Sequence, residues 1–156
     1  MPDDIAGLVD AVRRHYDDGC FACGRDNPIG LHLDDFDLQG GVVSARFTPR
    51  PEYRGAGVSL HGGVAATALD EMLVWAGILT EGVLSVTGNM ELRFRRPVNV
   101  DDPIVVSASV EDRSGRRLRI SGRLAVDAET RVEASGLYLV SAEVEDLLAG
   151  HGYVTG

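Results

Sequence analysis

The stretch from Val64 to Leu79 (VAATALDEMLVWAGIL) leaves this chain few ways to fold. It is small and apolar, free of proline, and long enough for a helix of several turns. A helix apolar on nearly every side has to be buried. His61-Gly62-Gly63 immediately precedes the run, and Asp70 stands near its middle. An acid on a buried helix is costly unless it is paired, hydrogen-bonded or put to use. The two glycines let another molecule approach the helix start, where unpaired N–H groups and the helix dipole favour a negative oxygen. One helix thus offers an anion site at its end and a base or nucleophile in its middle, which points to an enzyme.

A chain of 156 residues suits one domain with a substantial core. Its net charge of −9 argues against nucleic acid or an anionic membrane surface as partner. No N-terminal stretch resembles a signal peptide and no apolar run reaches the roughly 20 residues of a bilayer span, so a cytoplasmic protein is expected. All fifteen basic residues are arginine, read as a base-composition bias of the genome.

Ile5, Leu8, Val9, Val12 and Tyr16 recur at helical spacing after Pro2-Asp3, predicting a first helix from Asp3 to about Tyr16. A turn-rich stretch, Asp17 to Gly30, holds Cys20 and Cys23. Leu31–Leu38 alternates as a half-buried strand does, and Gln39-Gly40-Gly41 turns it into Val42–Phe47. After the buried helix come strand-like runs at Ser85–Phe94, Ile104–Val110, Leu118–Val126 and Val132–Val140. The tail from Ala142 reads as a short acidic helix fraying through Gly150 and Gly152. The expected class is α+β: one long helix wrapped by one antiparallel sheet, with an edge strand that a second copy can pair with.

Three segments then carry a family resemblance: Cys20-Phe-Ala-Cys-Gly with Asn27-Pro-Ile-Gly-Leu31, His61-Gly-Gly with Leu69-Asp70-Glu71, and Val86-Thr87 with Phe94-Arg-Arg-Pro97. Over roughly Cys20 to Val140 the chain resembles hotdog-fold acyl-CoA thioesterases of the PaaI-like group, near the THEM-family acyl-CoA thioesterases. A hotdog domain is expected over 31–142, followed by a tail (143–156); the preceding helix and C-x-x-C loop extension (1–30) departs from bare family members. The resemblance implies hydrolysis of acyl-CoA to free acid and CoA by a homodimer, a tetramer built as a dimer of dimers being left open; no cofactor and no metal are expected. Asp70 falls at the family's catalytic carboxylate and Gly62 at the backbone N–H that binds the thioester oxygen. Thr87 falls at a Ser/Thr that helps hold the water or the carboxylate. His61 and Gly63 shape the helix start, and together with Asn89, Arg95 and Arg96 they are expected on the substrate-binding side. Glu71 is one position off the catalytic place.

Asp70 can act as general base on water or attack directly, and the Gly62 N–H can hold the oxyanion. Gly62 and Asp70 are eight residues apart, about 12 Å on one helix, so they cannot both reach one thioester carbon. The site is therefore expected between two subunits. Competing readings exist for individual residues. His61 can simply pack or cap, Thr87 is at home in any strand, and Arg93, Arg95 and Arg96 are either CoA-phosphate ligands or solvated surface charges. At the level of function, the alternatives are a non-catalytic acyl-CoA-binding hotdog protein and an acyl-thioester hydratase or dehydratase. The latter lacks a visible His–acid pair.

Cys20 and Cys23 form a C-x-x-C flanked by His15 and His32. The spacing matches no common zinc signature, a disulfide is unexpected in a reducing compartment, and no βαβ unit supports a redox motif. Structural thiols are the first reading, with metal and redox roles open.

Overall fold

The structure, a computed structural model, describes residues 4–153. The chain runs α1 (Ile5–His15), β1 (Asp34–Gln39), β2 (Val42–Phe47), a single 3-10 turn (Pro51–Tyr53), α2 (Gly62–Glu81), β3 (Val83–Phe94), β4 (Ile104–Ser114), β5 (Arg117–Val126), β6 (Glu129–Glu143) and α3 (Glu145–Ala149). Six strands form one sheet in the order β1-β2-β4-β5-β6-β3, and every neighbouring pair is antiparallel. The central helix α2 packs against β2, β3, β4 and β5. By length and apolarity alone α2 passes for a membrane span, yet Ala68, Leu69, Met72, Leu73, Ala76 and Leu79 are fully enclosed by protein. Burying a side chain such as Leu73 contributes about 1.5–3 kcal/mol, and truncating it to Ala is expected to cost about 2–5 kcal/mol. The helix stops at Gly82, whose φ of 65° lets its N–H turn back to the Ile78 carbonyl.

Several boundaries differ from those expected, each for a local reason. Asp3 lies outside the described residues, and the observed cap of α1 is Asp4, whose carboxylate accepts from Gly7 N–H at 2.8 Å. The first strand begins at Asp34 rather than Leu31, because His32 sits at a φ of 53° and breaks the extended backbone. Leu31 and Leu33 are buried all the same; their N–H groups bond to the Phe21 and Ala22 carbonyls, tying the cysteine segment to the core. Gly40 and Gly41, both at positive φ, make the expected hairpin turn. The later strands run past their expected ends, most of all β6, which is paired along both edges by β5 and β3. The tail does not fray through Gly150 and Gly152. Leu148 and Tyr153 are buried, and the Tyr153 hydroxyl donates to the Leu79 carbonyl of α2.

Candidate active site

The start of α2 is built by His61. Its backbone is extended, and its ring Nδ1 accepts from Gly63 N–H at 2.9 Å while its carbonyl takes Val64 and Ala65. Of the two readings of His61, the ring here is a cap. Gly63 has no side chain for a reason: a Cβ there would lie 3.0 Å from His61 Nδ1 and press on the cap. Among the described residues the Gly62 N–H has no acceptor, so it remains free for an incoming oxygen at the positive end of the helix. Gly62 lines a cleft of about 380 Å³ with Leu60, Ala65, Phe94, Arg95 and Arg96. Asp70 is not part of that cleft.

Asp70 stands two turns further along α2, half-buried, under the β3–β6 ladder. Thr87 on β3 and Tyr138 on β6 are direct cross-strand partners. Both hydroxyls donate to the same oxygen, Asp70 Oδ1, at 2.6 and 2.7 Å. Among the described residues the other oxygen, Oδ2, has no hydrogen-bond partner. Tyr138 is fully buried. Burial, and next the bond to Asp70, push its phenol above the ordinary tyrosine range, so it stays protonated and donating. No motif flagged Tyr138. A tyrosine inside the aliphatic run Leu137–Val140 is nevertheless a signal, because a buried phenol needs a partner.

Asn89 lies one residue beyond a bulge at Gly88 in β3 and is exposed. Its Oδ1 accepts from Leu137 N–H at 3.1 Å, closing the ladder across the bulge. Arg95 and Arg96 flank the Gly62 cleft, and each already has a carboxylate: Arg95 meets Glu133 at 2.9 Å and Arg96 meets Glu129 at 3.3 Å. Both pairs are exposed and exchangeable.

Residues 58–133 match the thioesterase superfamily. The antiparallel sheet around a central helix is a hotdog fold, shared with the solved structures it resembles. Acyl-coenzyme A thioesterase THEM4 of Bos taurus is 34% identical over 95 residues, which make up 60% of this chain. Those residues span only 38% of the bovine protein, so the likeness concerns one part of it. The PaaI protein of E. coli, from the phenylacetic acid degradation operon, shares the fold with a TM-score of 0.71 at 15% identity, over 90% of this chain and 99% of that one. A Streptococcus mutans UA159 protein solved with acetyl-CoA bound has a TM-score of 0.68 at 12% identity, over 76% of this chain and 96% of that one. In this hotdog domain the long helix is α2, and the two groups described above sit at its start and its middle.

Proposed function

We propose that this hotdog domain hydrolyses acyl-CoA thioesters at a site assembled from two copies of the chain. The observation that carries the reading is the Asp70 carboxylate, held at Oδ1 by Thr87 and Tyr138 while Oδ2 is left for reaction. Likeness to an acyl-CoA thioesterase and to a fold relative that binds acetyl-CoA supports the choice of substrate. Water adds to the thioester carbonyl as Asp70 takes its proton, and the carbonyl oxygen becomes an oxyanion facing the Gly62 N–H. Collapse breaks the C–S bond, and the proton passes to the departing thiolate, leaving free acid and CoA. The roughly 12 Å between Gly62 and Asp70 along one helix requires the second copy. The edge strand β3, bonded on one side only and carrying exposed Val86 and Phe94, supports pairing between copies.

The test is release of free thiol from a panel of aliphatic and aryl acyl-CoAs by wild type and by Asp70→Asn. Wild type should turn over at least one class, and the variant should fold and associate normally while losing about 10²–10⁴ in rate. Full activity in Asp70→Asn would remove the carboxylate from the mechanism. Binding without turnover by wild type would make the domain an acyl-CoA binder.

A further inference from the structure

The cysteine pair is joined by a residue far away in sequence. Cys20 Sγ, Cys23 Sγ and a carboxylate oxygen of Glu71 all lie within 4.8 Å of one another. Cys20 Sγ is 3.6 Å from Glu71 Oε1, and Trp75 Nε1–H donates to that same oxygen at 3.0 Å. Neither thiol nor Glu71 has a part in the hydrolysis described above. We propose that Cys20, Cys23 and Glu71 form a binding site for a zinc-class divalent cation.

The donor set and its spacing carry this inference. Two thiolates and a carboxylate are ligands that borderline-soft divalent metals accept, at about 2.3 Å for sulfur and about 2.0–2.2 Å for oxygen. A tetrahedron with those arms has a sulfur–oxygen edge of about 3.5 Å, and the Cys20–Glu71 separation of 3.6 Å matches it. The loop is built to hold the two sulfurs. Gly24 N–H donates to the Cys20 carbonyl, and a Cβ on Gly24 would strike the Cys20 backbone at 2.4 Å. Phe21 and Ala22, between the cysteines, are pinned through their carbonyls to Leu31 and Leu33. Trp75 fixes the carboxylate from behind, as an outer-shell donor to a ligand does.

Glu71 is bonded by Cys20 and Trp75 and, among the described residues, has no salt-bridge partner. Arg13 lines the same pocket, but its guanidinium is engaged by Asp10 and the Leu33 carbonyl. Binding of a divalent cation would release the thiol protons to solvent, with no change of oxidation state. Three protein ligands leave a fourth position for water or a small donor, and all three line a pocket of about 360 Å³ whose wall also includes Val74, Trp75 and Ile78. His15 and His32, the histidines nearest in sequence, are not members of the cluster.

The experiment uses tag-free protein of residues 1–156 kept reduced, titrated with Co(II) and then competed with Zn(II) and a chelator. One equivalent per chain should produce a thiolate-to-cobalt charge-transfer band that zinc abolishes. Cys20→Ser and Cys23→Ser should lose the band. Glu71→Gln should bind at least tenfold more weakly, since losing even an outer-shell partner typically costs about 10–100-fold. His15→Gln should behave as wild type. Reduced wild type without a band at one equivalent overturns the proposal, as does a band that survives in both cysteine variants. The wild-type titration decides even where a cysteine variant fails to fold, and its readout is independent of thioester hydrolysis.

Discussion

Thr87 and Tyr138 face each other across the β3–β6 ladder and donate to the same oxygen of Asp70, at 2.6 and 2.7 Å. Two donors on one oxygen fix the plane of the carboxylate and direct the other oxygen away from them. Hydrogen bonds to a charged group are worth about 1.5–3 kcal/mol, which corresponds to roughly ten- to a hundredfold in rate where the bond positions the reacting group. Thr87→Ala and Tyr138→Phe should each lower kcat on that scale with KM for acyl-CoA nearly unchanged. The double variant should lose less than the product of the two, because the hydroxyls act on one atom. Steady-state kinetics on the four proteins decides it; a rise in KM with kcat preserved would make these residues binding contacts.

Arg95 and Arg96 border the Gly62 cleft, and each holds an exposed carboxylate that a phosphate can displace. If they bind the phosphates of CoA, Arg95→Ala and Arg96→Ala should each raise KM for acyl-CoA about tenfold, the lower end of a charge-assisted bond. KM for the same acyl group on a short phosphate-free thiol should stay as in wild type. Equal effects on both substrates would assign the arginines to the fold instead.

Asn89 sits beside the same strand edge, but its side chain is spent on the Leu137 N–H at the bulge. Asn89→Ala should therefore lower stability by about 0.5–1.5 kcal/mol, read as a shift in the urea midpoint. A raised KM with an unchanged midpoint would return Asn89 to the substrate-binding side.

The helix and the sheet were legible because their signals are local. An unbroken apolar run specifies α2, and period-two alternation specifies the strands that follow it. The Gly62–Asp70 separation was legible for the same reason, since helical rise turns sequence distance into length. Contacts between elements were not. Tyr138 reaches Asp70 across 68 positions and Cys20 reaches Glu71 across 51, separations closed only by the packing of α2 on the sheet and the docking of the cysteine loop on α2. Backbone exceptions were hidden as well: nothing in Leu31–Leu38 announces that His32 adopts a left-handed conformation. The docking of the tail was missed because Tyr153 stands alone among polar and small residues, and one buried aromatic leaves no periodic trace.

Activity should require two copies, and complementation can test this directly. Gly62 is the first residue of α2 and its N–H meets no acceptor among the described residues. Proline is well tolerated at that position, where the missing N–H breaks no helical bond. The preceding residue, His61, is already in the extended conformation that proline demands of its neighbour. Gly62→Pro should therefore remove the oxyanion donor while α2 and the sheet stay folded, and Asp70→Asn should remove the base. Each homodimer should be nearly inactive. In a heterodimer of the two variants, one site joins an intact Gly62 to an intact Asp70 and the other combines both defects. Mixing after reversible dissociation should restore activity toward half that of wild type per heterodimer, measured by thiol release on heterodimers isolated with two different tags. Isolated heterodimers that remain inactive, or a dilute monomer that hydrolyses substrate at the full rate, would show that one chain supplies both groups by itself.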